Sequence, residues 1–225
     1  LADRLVREDH QVDVFTSRIG NTANNGYSDQ INVNFLPTHG MLWDMNPLTS
    51  VFKILVKNHY DIVHVHSYIF FLSNTVALAR GMKDFNYVLQ FHGGLDHHHL
   101  PDDNAKKIRF KDTVFDNTLG KFTVQRADRL LSVSKTDIPI IKEKFGKDAD
   151  YLPNAVSTDM FRINSNVERR YVTYIGKFEP WKGFGLLPEI FQKVYKKNQN
   201  IRFRVVGDGS MASGMDWGGL PVEVI

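Results

Sequence analysis

The sequence predicts an α/β protein whose sheets are mostly parallel, divided into two domains of which the second is incomplete. Three observations carry this. Short apolar runs alternate with segments of helical period along the whole chain, which is the order of successive βαβ units. The runs are nearly continuous in apolar residues, as in strands covered on both faces. After Tyr151-Leu152-Pro153-Asn154 and the polar stretch Asn164-Ser165-Asn166 the same rhythm begins again.

The elements follow in order. Leu1, Leu5 and Val6 have helical spacing and lead into a strand over 11–16. Residues 21–30 read as a polar, glycine-containing loop, and 31–36 alternate apolar and polar as a second strand. Asn46-Pro47 is expected to open a helix with Leu48, Val51, Phe52, Leu55 and Val56 on one face, because proline suits a first helical turn. Next come a strand over 61–66, a short helix over 74–81 closed by glycine, and a strand over 87–91 that ends in His92-Gly93-Gly94. Ile108, Phe115, Leu119 and Phe122 share one face of a single long helix over 104–127. A strand over 129–134 precedes a helix opened by Thr136, with Pro139 in its first turn and Gly146 at its end.

Beyond the break a strand over 171–175 meets the turn Gly176 to Gly183. A helix carrying Leu186, Leu187, Ile190, Phe191 and Val194 and a strand over 201–206 follow, closed by Gly207-Asp208-Gly209. The two domains are therefore placed at 1–157 and 158–225. One such unit is too small to close a core by itself, so further sequence is expected to complete it. The opening Leu1-Ala2-Asp3 and the strand-like close at Val224-Ile225 give the same expectation of a longer parent chain.

Composition excludes several classes. With 42% hydrophobic and 24% charged residues the 225-residue chain is neither a disordered tail nor a fibre. The absence of cysteine removes disulfides, thiolate zinc sites and thiol nucleophiles, and fits a reducing compartment. A net charge of +3 is too small to make nucleic acid the expected partner. No apolar run approaches the roughly 18 residues of a membrane span. Gly-x-Ser-x-Gly, His-Glu-x-x-His and Walker patterns do not occur, which counts against hydrolases, metalloproteases and P-loop proteins.

The most specific candidate site is Gly176-Lys177-Phe178-Glu179-Pro180-Trp181-Lys182-Gly183, between a strand and a helix. Its glycines permit a tight turn, and Lys177 and Lys182 add ammonium groups to the free N–H groups of a helix start, which suits a diphosphate. A solvated basic turn fits the same spacing. Gly207-Asp208-Gly209 reads either as part of such a site or as a turn without a ligand. His92 ends a strand at the edge where parallel sheets bind ligands, beside Ser17 and His66, and suits hydrogen bonding to a substrate or a purely structural role. His64 and His66 share a strand face and read as wall residues. His97-His98-His99 lacks the spacing of converging ligands, so no metal is expected there. Lys106, Lys107, Arg109 and Lys111, with Lys121, Arg126 and Arg129 further on, suit an anionic membrane surface or a charged acceptor. Interleaved Asp102, Asp103, Asp112, Asp116 and Asp128 point instead to a self-neutralising, solvated face.

Taken together, seven segments resemble the retaining glycosyltransferases of family 4, with the GT-B fold. They are LADRLVREDHQVDVFT at the start, DIVHVHS at 61–67, FHG at 91–93, ADRLLSVSKTDIPIIKEKFG at 127–146, LPNAVSTDMF at 152–161, IGKFEPWKG at 175–183 and VVGDG at 205–209. The resemblance implies two Rossmann-like domains, the first on the acceptor side and the second on the nucleotide-sugar side. It implies that Lys177 and Lys182 hold the donor diphosphate and that His92 faces the donor sugar. His66, Gly93, Gly94, Ser134, Gly176, Gly207 and Gly209 are implied as cleft-wall positions.

The same resemblance implies hexosyl transfer, with retention, to a glycan or lipid-linked acceptor. It needs no cofactor or metal, and places the protein in the cytoplasm or peripherally on the inner membrane face. Lys177 stands where the family usually has arginine, and Ala155 and Ser157 replace a glycine and an aspartate of the hinge motif. A first strand with a glycine-rich loop is expected ahead of Leu1, and a donor-binding glutamate pair beyond Ile225, so the 225-residue chain alone is expected to be inactive. A nucleotide-sugar epimerase of the same frame and a non-catalytic α/β binding module remain open readings at this point.

Overall fold

Parallel pairing dominates the sheets. The computed structural model describes residues 1–19, 30–42, 46–93, 95, 105–156, 158 and 170–225, and the chain divides into two compact units with the boundary after Val156.

In the first unit α1 (Ala2–Arg7) precedes β1 (Val12–Ser17), which pairs in parallel with β2 (Ile31–Leu36). The short strands β3 (Met41–Leu42) and β4 (Asn46–Pro47) form an antiparallel pair. After α2 (Phe52–Lys57) come β5 (Ile62–His66), α3 (Phe71–Arg80) and β6 (Asn86–Phe91). The helices α4 (Ala105–Phe110) and α5 (Leu119–Arg126) flank a π-helical turn at Lys111–Phe115. β7 (Arg129–Ser132), α6 (Asp137–Phe145) and β8 (Asp150–Tyr151) complete an all-parallel sheet in the order β5-β6-β7-β8. Tyr87, Leu89 and Phe91 of β6 are fully buried, as are Ala77 and Ala79 of α3 and Val124 of α5. The small α3 residues let the helix lie close to its neighbours, and the core fills around the central strand.

The second unit contains β9 (Tyr171–Ile175), α7 (Leu187–Lys197), β10 (Arg202–Val206) and β11 (Val222–Val224), paired in parallel in the order β11-β10-β9. Its core is aromatic. Phe178 stacks on Phe184 and Phe191 on Phe203, each pair with ring centroids 4.2 Å apart and planes 17° from parallel.

Three elements depart from the sequence reading. Asn46-Pro47 does not open a helix; α2 starts at Phe52. Asn46 caps α3 instead: its Oδ1 accepts from the N–H of Phe71 at 2.9 Å, while its Nδ2 donates to the carbonyl of Ile69 at 2.8 Å. That cap starts α3 at Phe71, three residues before the expected position. The long helix is interrupted: α4 passes after Phe110 into the π-helical turn, where Asp112 and Asp116 pair with Lys111 and Lys144, and α5 begins afresh at Leu119. Finally, α7 begins at Leu187, after two 3-10 turns at Pro180–Lys182 and Phe184–Leu186 joined by the left-handed Gly183.

Among the described strands β1 and β5 each pair on one side only. A cavity of about 1870 Å³ runs along both, lined by Val12, Val14 and Thr16 of β1 and by Ile62, His64 and His66 of β5. No residue of β1 is buried, and Ile62 is 63% exposed. Both are unusual for parallel strands, which are ordinarily covered on both faces.

Candidate functional site

Two groups of residues gather at the carboxyl ends of parallel strands, one in each unit. In the first unit the parallel register sets His66 opposite Gln90, so the last residue of β5 lies beside the segment that leaves β6. There His66 Nδ1 and His92 Nε2 lie 2.8 Å apart. The period of two puts His64 on the same face, and its ring stacks on that of His66 with centroids 4.6 Å apart. Desolvation, followed by the neighbouring His64 and His92, pushes His66 down to about 4. His64 is lowered as well, first by burial. Its Nε2 is buried with no hydrogen-bond partner among the described residues.

Gly93 follows with φ +89 and nothing within 4 Å of where a Cβ would stand, a backbone region that favours glycine. Phe91 is level with Ser132 across the β6–β7 pair, so Gly93 and Ser134 leave the sheet at the same height. Ser134 shares a hydrogen bond of 2.7 Å with Thr136. Gly94 and His97-His98-His99 lie outside the described residues. Among the described residues no three His, Asp or Glu side chains converge as metal ligands.

In the second unit the loops after β9 and β10 meet. Gly207, at φ +146, comes so close to the first loop that a Cβ there would stand 2.0 Å from the carbonyl oxygen of Gly176. A Cβ on Gly209 would stand 2.7 Å from the carbonyl oxygen of Phe178. The Phe178 N–H donates to the carbonyl of Asp208 at 2.8 Å. Lys177 Nζ reaches across to Asp208 Oδ1 at 2.5 Å, and that pairing raises Lys177 above the usual lysine value. Glu179 accepts from both the N–H and the hydroxyl of Ser210, at 2.8 and 2.6 Å, and these bonds hold its carboxyl low. Tyr174 donates its hydroxyl to the carbonyl of Lys177 at 2.9 Å, beside Gly176. Lys182 is exposed at the end of the first 3-10 turn, and no ion pair holds it among the described residues.

The structure therefore brings His66 to His92, and Lys177, Gly176, Gly207 and Gly209 to one another, as the residues of two separate units. Asp208, Glu179 and Ser210 are the organising residues that the sequence reading did not single out. Their signal was available: loops that follow adjacent parallel strands share one edge, and Asp208 sits between the two glycines of such a loop.

The basic helix also resolves differently from expectation. Asp116, 5% exposed, accepts from Tyr68 at 2.9 Å, Lys111 at 2.9 Å and Lys144 at 3.0 Å. Asp112 binds the same two lysines. The Asp116 carboxylate thus faces the interior, while that of Asp112 is partly exposed. Lys106, Lys107 and Arg109 are left on the outer face with Phe110 and Val114, which are 44% and 45% exposed. The interleaved charges do neutralise one another at Lys111, Asp112 and Asp116, but Asp116 is buried where a solvated face was expected; Asp102 and Asp103 lie outside the described residues.

Two comparisons relate the chain to known proteins. The model of glycosyltransferase family 4 matches residues 1–160. Three curated relatives, each the phosphatidylinositol N-acetylglucosaminyltransferase GPI3 subunit from a different strain of Saccharomyces cerevisiae, are 23% identical over 237 aligned residues, covering 93% of this chain and 48% of the relative. The chain thus spans about half the length of the curated relatives it matches. With a mostly parallel α/β architecture and a family model that covers well over half of its residues, the chain belongs to glycosyltransferase family 4.

Proposed function

We propose that the full-length protein transfers a hexosyl group from a nucleotide-diphosphate sugar to a lipid-linked or glycan acceptor, with retention of configuration. The observation that carries this reading is the pair of loops after β9 and β10, which sets Lys177 and the exposed Lys182 at the carboxyl edge of a parallel sheet, where ligands of such sheets bind. In the reaction the bond from the sugar's C1 to the donor phosphate oxygen breaks as the acceptor hydroxyl attacks C1 from the same face. The bonding electrons pass to the leaving diphosphate, whose oxygen takes the acceptor proton. Charge grows on that leaving group, and fixed ammonium groups stabilise it most in the transition state. In this reading Lys177 and Lys182 supply that charge and no metal or cofactor is assigned; His92 contacts the sugar.

Residues 1–157 form the acceptor-side domain and 158–225 the start of the donor domain, with the 225-residue chain inactive by itself. The cavity between β1 and β5 receives a further strand of the full-length protein. Its volume exceeds the roughly 300–1,000 Å³ of small-molecule pockets, and a strand there would feed α1 and β1 by a right-handed crossover. A lipid acceptor is supported by the relatives, whose name couples N-acetylglucosaminyl transfer to phosphatidylinositol. It is supported also by the outer face of α4 and the π-helical turn after it, where Lys106, Lys107 and Arg109 lie with exposed Phe110 and Val114, a combination suited to an anionic membrane surface at its cytoplasmic side. No helix among the described residues is long and apolar enough to cross a membrane. Sedimentation with anionic vesicles that is unchanged by Lys106→Glu with Lys107→Glu would count against this face.

The test of the reaction is product analysis with full-length protein, a panel of nucleotide sugars and a lipid acceptor. A glycosylated product that keeps the donor's anomeric configuration supports the reading. An inverted product, or an epimerised sugar formed without acceptor, would overturn it.

A further inference from the structure

We infer that His66 is a positioning residue for His92: it engages Nε2 of that ring and leaves Nδ1 as the nitrogen presented at the strand edge. The two rings meet at 2.8 Å, Nδ1 of His66 to Nε2 of His92, a distance at which one nitrogen must donate and the other accept. A ring nitrogen committed in this way fixes both the tautomer and the rotation of its imidazole.

His66 is itself held. Its ring stacks on His64 with an interplanar angle of 24°, and the strand end beyond it is fastened at Ser67. That residue has the left-handed φ of +69. Its N–H donates to the carbonyl of Gln90 at 2.7 Å, and its own carbonyl accepts from the Ser73 hydroxyl at 2.6 Å. A non-glycine residue in that region is uncommon and persists where its surroundings over-determine it. On the other side of the pair, Gly93 follows His92 with a left-handed φ of +89 and open space where a Cβ would stand. Among the described residues the hydrogen-bonding contact to the His92 ring comes from β5. Desolvation and the neighbouring rings keep His66 neutral near pH 7, so it carries one ring proton and can serve as either partner of the bond.

This deepens the assignment of His92 and rests on that reading for its chemical meaning, whereas the ring geometry does not depend on it. The experiment is long-range proton–nitrogen correlation on the 225-residue chain labelled with ¹⁵N in its imidazoles. In the wild-type chain His92 should show the separated nitrogen shifts of one tautomer. His66→Phe should collapse them toward the averaged values of a freely exchanging imidazole, with the β6 amide signals unmoved. His66→Gln, which retains a hydrogen-bonding group, should restore part of the separation.

Unchanged His92 shifts in a folded His66→Phe chain would overturn the inference. Averaged His92 shifts in the wild-type chain would do the same without any variant. In the full-length enzyme His66→Phe should lower kcat by about 10- to 100-fold, the scale for losing an orienting partner, with KM nearly unchanged and no further loss on top of His92→Ala. Loss of ring ordering without loss of turnover would refute the chemical role given to His92, and leave the pairing standing.

Discussion

Lys177 Nζ lies 2.5 Å from Asp208 Oδ1, so the cation of the loop after β9 is neutralised by the loop after β10. Both side chains are largely exposed, at 63% and 79%, and exposed ion pairs contribute little to folding. The pair matters for what Lys177 can bind. A diphosphate approaching Lys177 meets the carboxylate of Asp208 as a like charge, and must displace it or tolerate it. Asp208→Asn is therefore expected to tighten nucleoside-diphosphate binding by the full-length protein several-fold at low salt, with the gain shrinking as salt screens it. Titration calorimetry at two salt concentrations checks this. Weaker binding would mean that Asp208 holds Lys177 in its binding position.

The meeting of these loops depends on a close backbone approach. Gly207→Ala would place a Cβ 2.0 Å from the carbonyl oxygen of Gly176 at a φ that disfavours any side chain, whereas a Cβ on Gly185 would meet only the methyl end of Met211 at 3.4 Å. Gly207→Ala should lose about 1–3 kcal/mol of stability through overpacking, or more, and Gly185→Ala should stay close to wild type. Urea unfolding followed by the fluorescence of Trp217, which stacks on Phe191, separates the two variants.

The histidine cluster predicts a pH dependence. His66 is lowered from 6.5 to about 4, so below pH 6.5 the unfolded chain takes up a proton that the folded chain refuses. Stability contributed by the neutral ring is complete above pH 6.5 and is lost as pH falls toward 4. Thermal unfolding of the 225-residue chain should show a falling midpoint across that window, and His66→Phe should reduce the slope, leaving the share of His64, which burial also lowers. Asp128, held low first by its hydrogen bond from Arg80, adds its own loss only below the ordinary carboxylate range. A midpoint that is level between pH 6.5 and 4 would contradict the burial of neutral His66.

The free edges of β1 and β5 predict a difference between the short and the full-length protein. If the cavity takes a further strand, amide exchange over Val12–Ser17 and Ile62–His66 should be slower by more than about tenfold in the full-length protein, as ladder hydrogen bonds and burial protect it. Equal exchange in both would mean that the cavity has some other use.

The strand pattern was legible because period and apolar content are local: β1, β2, β5, β6, β7, β9 and β10 all stand within a residue or two of their expected places. Gly146 also ends α6 in the left-handed conformation its sequence position implied. What sequence could not locate were features fixed by partners far along the chain. Asn46 caps a helix 25 residues away rather than the next one. Asp116 looked like a surface charge, but Tyr68 and Lys144 hold it buried. Candidate site residues were found one at a time from their places at strand ends. Their pairings, His66 with His92 and Lys177 with Asp208, came only from the register of adjacent strands.

Lys182 carries the most direct test of the proposed chemistry, because it is exposed, at the end of a 3-10 turn, and its truncation leaves the fold undisturbed. Turnover of a nucleotide sugar by the full-length protein should fall by about 10²–10³ in Lys182→Ala, the scale of removing one preorganised electrostatic contact to a leaving group. Turnover within a few-fold of wild type would contradict the assignment of this turn to the donor diphosphate.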